Sequence, residues 1–497
     1  MAIRTGKQYI EGLRDSRQVF VNGVRVEDVT TYPAFRRPIE AIARLYDLKH
    51  DPSLQRQLTY LSPTTGNLCD ICYLLPQRKE DIVKKREAYK IFAKENYGAM
   101  GRSPEFMNAF AAGLSASKKW FGRAGKTYET NVQMYYEYVR ENDLFLTHAL
   151  GTPQTDRSKP SHQQKEEFLH LGIKEETSEG VIIRGAKQLS TNAPFTDELL
   201  IFPNGRQFTN GDEKYCVAFA VPVSSPGLKL LCRETLVPND KRNLFDHPLS
   251  SRFEEIDAMV VCEDVFVPWN RVFFYKNLEL ANTSREATEI TSHCQHQSAV
   301  RAVVKAGLAV AIAKKITDSV KTDIYPQVGE KIGNIIAMMK ATESLLFAAE
   351  QTAIKVEDSH WKPNQEYLSS YSILFPKFDT QIADLIRSIG AAGLMLTPTI
   401  DDFLGEAGEI FDHYFAGAAM DGISRVQIAK LAWDFIGDSN AQRVQHYERF
   451  HSGEPMFLAA GFGRTANVSE WLEMTEQLLD EGRDEFKKFT EEASEVH

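Results

Sequence analysis

Between about Thr177 and Phe274 the chain changes texture, and this stretch limits its possible folds more than any other feature. Val181-Ile182-Ile183, Leu199-Leu200-Ile201-Phe202, Cys216 to Val223, Leu228 to Cys232 and Val260 to Val267 are short runs rich in strand-forming residues. Gly205, Asn210-Gly211, Pro226-Gly227 and Asn239-Asp240 supply turn chemistry between them. Short strands joined by tight turns predict an antiparallel barrel or sandwich. No Gly-x-Gly-x-x-Gly follows a strand, which argues against a nicotinamide-binding unit.

Helical patterns flank this β region. From Lys79 to about Arg140, Ile82, Tyr89, Ile91 and Phe92 sit among Lys and Glu, with a break at Gly101 to Pro104. A second helix is expected after the break: Ser103 can cap it, Pro104 suits its first turn and Glu105 lies near its positive end. Helical periodicity returns from about Cys294, where Val328, Ile332, Ile335, Ile336 and Met339 share one face. Further helices are expected over Phe378 to Leu396, Ile423 to Phe435 and Trp471 to Phe489, and a bundle packs them most economically.

Composition narrows the function. Of 497 residues, 43% are hydrophobic and 25% charged, the balance of a folded soluble protein. The net charge of −10 is not offset by any basic block, so nucleic acid is not an expected partner. Arg4, Lys7, Glu11 and Arg14 interrupt the first fifteen residues, unlike a signal peptide, and the longest useful apolar run is Ala306 to Ala313. The expected compartment is the cytoplasm. Cys69 and Cys72 form a Cys-x-x-Cys without a second ligand pair at zinc spacing, and are read as ordinary thiols. His293 and His296 bracket Cys294 with no acidic neighbour, so no metal site is expected there.

Four segments can carry chemistry. Gly101-Arg102-Ser103-Pro104 puts a cation at a helix entrance beside free N–H groups, where a phenolate or carboxylate would be stabilised; a salt-bridged surface turn fits as well. His148 ends the apolar run from Leu144 at the edge of the core, either as base or hydrogen-bond partner or as a satisfied core histidine. Pro153-Gln154-Thr155-Asp156-Arg157-Ser158 is dense in donors and acceptors, suited to gripping a polar cofactor or to a solvated loop. Ser190-Thr191-Asn192-Ala193-Pro194 offers small hydroxyls and backbone to a flat heterocycle.

Together these segments resemble the large component of 4-hydroxyphenylacetate 3-monooxygenases, a family that includes phenol, chlorophenol, pyrrole-carboxylate and carrier-bound tyrosine hydroxylases. The resemblance begins at Arg4-Thr5-Gly6-Lys7-Gln8-Tyr9, passes through Gly101 to Pro104, and is strongest in Thr147-His148-Ala149-Leu150 with Pro153 to Ser158. It continues through Thr191 to Glu198, Ala432-Trp433-Asp434-Phe435 and Tyr447-Glu448-Arg449-Phe450. It implies an α+β, acyl-CoA-dehydrogenase-like fold: an N-terminal helical domain (1–145), a middle antiparallel β-barrel (146–278) and a C-terminal four-helix bundle with a tail (279–497). It also implies a homotetramer.

The same resemblance implies reduced FAD delivered by a separate NAD(P)H-dependent flavin reductase, with O2 as co-substrate and aromatic hydroxylation, ortho to the ring oxygen, through a C4a-hydroperoxyflavin. Arg102 and His148 would hold and polarise the substrate oxygen, with Phe106, Pro203 and Asn204 also at the substrate. His148, Gln154, Thr155, Asp156, Arg157 and Thr191 would contact the flavin, and Ser452, Gly453, Glu454 and Pro455 the rest of the FAD. His296 lies near a histidine used by chlorophenol members and joins the catalytic set. Where the 4-hydroxyphenylacetate enzymes carry a substrate-binding tyrosine four residues after the arginine, this chain has Phe106, which implies another phenol, a heteroaromatic acid or a tethered aromatic.

Two rivals share the fold, and a third reading is a non-catalytic flavin-binding homologue. A hydroxyacyl-CoA dehydratase needs cysteine ligands for an iron–sulfur cluster near Arg102, yet no cysteine lies between Cys72 and Cys216. An acyl-CoA dehydrogenase needs a carboxylate base at the flavin, and none stands out.

Overall fold

The expected strands assemble into two sheets in a computed structural model that describes residues 3–203, 207–238, 242–357 and 359–495. The turns expected at Gly205 and at Asn239-Asp240 lie outside these residues. One sheet has six strands in the spatial order Val24–Val26, Gln18–Val21, Leu228–Cys232, Asp257–Pro268, Gly180–Thr191 and Gly172–Glu176. The other has four: Val272–Tyr275, Val217–Pro222, Glu198–Ile201 and Leu146–Ala149.

Most strand pairings among the described residues are antiparallel, as the turns predict, but two ladders are parallel. Gln18–Val21 runs parallel to Leu228–Cys232, and Leu146–Ala149 parallel to Glu198–Ile201. Gln18–Val21 comes from the N-terminal part of the chain, so the six-stranded sheet is completed by a strand far away in sequence. Gly180–Thr191 and Asp257–Pro268 are the long strands, and their ladder is broken by irregularities between Ala258 and Val260 and between Cys262 and Val265.

Alternation along the strands divides the core. Leu199, Ile201, Phe219 and Val260 face one buried cluster together with Tyr9, Phe35 and Ile39, the last two on the helix Pro33–Leu48. Leu146, Leu200, Ala218 and Phe273 face another, built with Phe106, Phe110, Tyr135 and Val139 of the helices Pro104–Ala116 and Lys126–Glu141. The Arg4 to Tyr9 segment has a structural task here. Thr5 and Gln8 form a capping box for the helix Gly6–Gly12, Arg4 pairs with Asp197 at 2.6 Å, and the Tyr9 hydroxyl donates to the Phe195 carbonyl at 2.8 Å.

Four helices form the bundle: Ile290–Val320, Pro326–Gln351, Gln365–Gly390 and Gly422–Ile436. Ile312, Ile335, Ile382, Ile386 and Ala432 are buried between them. The helix expected from Phe378 starts earlier, because Asn364 caps it and Leu368, Tyr371 and Phe375 extend its apolar face across Pro376. Pro326–Gln351 has the length and hydropathy of a membrane span, and Ile332 and Ile335 on it are buried in the bundle.

Two compact units result, Met1–Ser452 and Gly453–His497. The second contains the helices Pro455–Thr465 and Ser469–Glu495. Within it Trp471, Leu478, Phe486 and Phe489 are exposed.

Candidate active site

The candidate site grows from the break before the helix Pro104–Ala116. Ser103 occupies its N-cap position in extended conformation and Pro104 its first turn, as expected. The Ser103 hydroxyl, however, donates to the Glu105 carboxylate at 2.6 Å and makes no cap bond. The entrance already holds an anion, because the Arg102 N–H donates to Glu255 Oε1 at 2.6 Å. A substrate anion therefore has no claim on that N–H.

The Arg102 side chain is buried and its guanidinium carbon lies 4.0 Å from the centre of the Phe106 ring. Its Nη1 donates to the Tyr447 hydroxyl, which in turn donates to the Gly101 carbonyl at 3.0 Å. A Cβ at Gly101 would overlap the Tyr447 ring, so glycine is required there by the close approach.

His148 reaches the same place from the four-stranded sheet. Strand alternation puts Leu146 and His148 on the face turned to the helix Pro104–Ala116. The imidazole lies 6.3 Å from the Phe106 ring centre and 5.7 Å from that of Phe110. Burial, followed by the positive charge of Arg102, pushes its pKa down to about 3, so the ring is neutral at working pH. Its Nδ1 is buried and has no protein partner. An unpaired polar atom packed among aromatic rings costs free energy unless a ligand completes it.

Thr191 is held beside the same strand. Its carbonyl accepts from the Thr147 hydroxyl at 2.7 Å, and its own hydroxyl donates to Asp257 Oδ1 at 2.8 Å. The next residue, Asn192, in left-handed conformation, donates from Nδ2 to the Arg102 carbonyl at 3.1 Å. Thus Arg102, Phe106, His148 and Thr191 are brought together.

The loop with Gln154, Thr155, Asp156 and Arg157 is tied at its base. Lys187 Nζ donates to the Leu150 carbonyl at 2.9 Å and the Phe202 carbonyl at 3.3 Å, and the Gln188 N–H donates to the Gly151 carbonyl at 3.0 Å. Thr155 donates to Gln164 at 2.7 Å, and Asp156 accepts from the Ser158 hydroxyl at 2.6 Å. Gln154, Asp156 and Arg157 are exposed. Lys187 has no carboxylate partner among the described residues, and burial lowers its pKa to about 7.

Other expected residues stand elsewhere or beyond description. Pro203 is buried at the end of the Phe202 segment, while Asn204 lies outside the described residues. His296 Nε2 is 2.8 Å from Glu350 Oε1, and Glu350 also pairs with Arg86 at 2.6 Å; the imidazole meets Tyr89 edge-on. That histidine has its partners inside the helical layer. The Ser452 carbonyl accepts from Arg285, and Gly453, Glu454 and Pro455 open the second unit, with Pro455 in the first turn of Pro455–Thr465.

Sequence reasoning missed Glu255, Asp257, Arg443 and Tyr447. Arg443 donates from Nη1 to Glu255 Oε2 at 2.8 Å, and from Nε and Nη2 to the two Asp257 oxygens at 2.8 and 2.5 Å. Burial opposes ionisation of Asp257, yet Arg443 and Arg233 hold it below the ordinary carboxylate range. The helix Ser439–Phe450 that carries Arg443 and Tyr447 is anchored by Glu448, which forms a buried bidentate pair with Arg301 at 2.6 and 2.7 Å. The only signal was the Tyr447 to Phe450 segment, noted without a role.

Helices, two sheets and a helical bundle give the chain an acyl-CoA-dehydrogenase-like fold. The family described as 4-hydroxyphenylacetate 3-hydroxylase matches twice, its N-terminal part over residues 5–274 and its C-terminal part over residues 281–480, and the chain belongs to that family. It is 37% identical to the 4-hydroxyphenylacetate 3-monooxygenase oxygenase component of Thermus thermophilus, over 98% of this chain and 99% of that one. A monooxygenase of Streptomyces globisporus, acting on (3S)-3-amino-3-(3-chloro-4-hydroxyphenyl)propanoyl-[peptidyl-carrier protein], is 30% identical over 96% and 91% of the two chains. The crystal structure of an oxygenase component of 4-hydroxyphenylacetate 3-monooxygenase complexed with FAD and 4-hydroxyphenylacetate superposes with a TM-score of 0.92 at 37% identity, covering 97% of this chain and all of that one. A 4-hydroxybutyryl-CoA dehydratase from N. maritimus, 20% identical with a TM-score of 0.87, shares the fold.

Proposed function

We propose that this chain is the oxygenase component of a two-component flavin monooxygenase that hydroxylates a phenolic or heteroaromatic ring, ortho to its oxygen substituent. Reduced FAD would come from a separate NAD(P)H-dependent reductase. The reaction balances as aromatic C–H plus O2 plus reduced FAD giving aromatic C–OH, water and oxidised FAD. The observation that carries this reading is the neutral, unpartnered His148 Nδ1 of a ring packed against Phe106 and Phe110, in the field of the Arg102 guanidinium.

Each residue has a task on this reading. His148 Nδ1 accepts the phenolic O–H, drawing electron density toward the ring and making its ortho carbon more nucleophilic. The fixed charge of Arg102 stabilises negative charge on that oxygen, and Phe106 holds Arg102 in place. Phe106 and Phe110 bury the ring and exclude water. The residues also fit FAD: Ser190 Oγ is buried without a partner next to Thr191, and the exposed Gln154, Asp156 and Arg157 offer donors and acceptors. Thr191 and Gln154 to Arg157 would hold the isoalloxazine and ribityl groups. When bound, reduced FAD supplies the two electrons that activate O2 for transfer of one oxygen atom to the ring.

Phe106 leaves the pocket without the family's tyrosine hydroxyl, and the proposed substrate is a phenol other than 4-hydroxyphenylacetate or a carrier-tethered aromatic. A cytoplasmic homotetramer is the proposed working form, supported by the exposed apolar residues of the helix Ser469–Glu495. The test supplies chemically reduced FAD without any reductase and scores free phenols, pyrrole and indole acids, and thioester-tethered tyrosine for hydroxylated product. Product from one class supports the reading and names the substrate; peroxide alone from every class overturns it.

A further inference from the structure

The substrate side and the flavin side of the proposed site hang on one side chain, Arg443, whose Nη2 itself lies 3.4 Å from the Thr191 hydroxyl. Arg443 bonds Glu255 through Nη1 and both oxygens of Asp257 through Nε and Nη2. Glu255 accepts the Arg102 N–H through its other oxygen, at 2.6 Å, and also lies 3.3 Å from Asn192 Nδ2. Asp257 accepts the Thr191 hydroxyl at 2.8 Å. One turn further along the same helix, Tyr447 takes the Arg102 guanidinium. Glu255 lies just before a sheet strand and Asp257 at its start, whereas Arg443 comes from the C-terminal helices.

We infer that Arg443 is a positioning residue that fixes the substrate arm, Arg102, relative to the flavin arm, Thr191, and thereby sets how fully oxidation of reduced FAD is coupled to hydroxylation. This rests on the proposed monooxygenase reading. The geometry demands arginine: a planar fork reaches three carboxylate oxygens on two residues at once, and a lysine ammonium has no equivalent fork. Without the bridge, Asp257 keeps only Arg233, at 3.2 Å, and Glu255 has no side-chain cation partner among the described residues, so each shifts the arm it holds. The productive product is hydroxylated ring plus water. In the competing outcome the same two electrons and two protons leave reduced FAD with O2 as hydrogen peroxide, and the ring is unchanged. An oxygen-transfer geometry loosened by about 1 Å favours the second outcome by about tenfold or more.

The test uses the full chain with reduced FAD, O2 and the best phenol of the panel above. Measured are hydroxylated product per O2 consumed, the affinity for reduced FAD, and the thermal midpoint. Arg443→Lys is expected to cut product per O2 by about tenfold while still consuming O2 and melting cooperatively, and guanidinium ion is expected to restore part of the coupling to Arg443→Ala. Should the Arg443 variants fail to fold, Glu255→Gln carries the test, since it keeps the volume and the oxygen that receives the Arg102 N–H; it too is expected to uncouple. Wild-type product per O2 in a folded Arg443→Lys, or in Glu255→Gln if that alone folds, overturns the inference and leaves the monooxygenase reading intact. Wild-type protein that hydroxylates no phenol overturns the reading itself.

Discussion

Arg102 and Phe106 stack with 4.0 Å between the guanidinium carbon and the ring centre, so the cation before the helix Pro104–Ala116 is carried on an aromatic ring in that helix's first turn. A tyrosine at position 106 keeps that stack and adds a hydroxyl to the pocket. Phe106→Tyr is expected to raise the preference for 4-hydroxyphenylacetate over the chain's own substrate by about tenfold, as a buried polar group gains a partner. The comparison is kcat/KM for both compounds; an unchanged ratio removes Phe106 from substrate selection.

Arg102 and His148 serve the ring oxygen more than the flavin. Arg102→Ala and His148→Ala should each lower hydroxylation by about a hundredfold, the usual cost of a lost charge-stabilising group. Reduced-FAD affinity should fall much less. Equal losses of flavin affinity and of hydroxylation in both variants contradict the assignment.

His148 gives a pH signature with a definite sign. Its folded-state pKa, about 3, lies below the ordinary 6.5, so the unfolded chain binds the proton more readily. The stability this neutral ring contributes is complete above pH 6.5 and is lost as pH falls toward 3. Denaturant titrations of His148→Gln should therefore show a shallower loss of stability over that window than wild type. Activity should show no limb near 6.5 from His148, because the ring is already neutral there; a wild-type limb that vanishes in His148→Gln would refute the neutral acceptor.

Parts of this site could be read from sequence because their partners are close along the chain. Arg102, Pro104 and Phe106 belong to one helix entrance, and strand alternation alone turns His148 toward it. The Arg443 bridge could not, since its carboxylates lie 186 and 188 residues away and a charge in a sequence does not name its partner. The strands Gln18–Val21 and Val24–Val26 escaped for a different reason: four and three residues are too short to show a period. Ser103 was placed correctly, but its hydroxyl had a nearer acceptor in Glu105.

The buried pair of Arg301 and Glu448 anchors the helix that delivers Arg443 and Tyr447. Arg301→Leu leaves Glu448 with Lys305 at 3.1 Å as its remaining cation partner, and should cost about 3–5 kcal/mol in urea unfolding. A loss within about 0.5 kcal/mol, the usual effect of a surface substitution, would show that the pair does not hold the helix.

The apolar residues of Ser469–Glu495 predict a role in assembly. Removing residues 467–497 should lower the number of subunits per particle measured by light scattering at equal concentration, and an unchanged subunit number would assign assembly to another surface.

Oxygen transfer to an aromatic ring can be followed by isotopic labelling. In a single turnover with chemically reduced FAD, heavy-oxygen-labelled O2 and the best phenol, one labelled oxygen atom is expected in the hydroxylated product and the other in water. Product carrying unlabelled oxygen, or labelled peroxide with the phenol untouched, would contradict it.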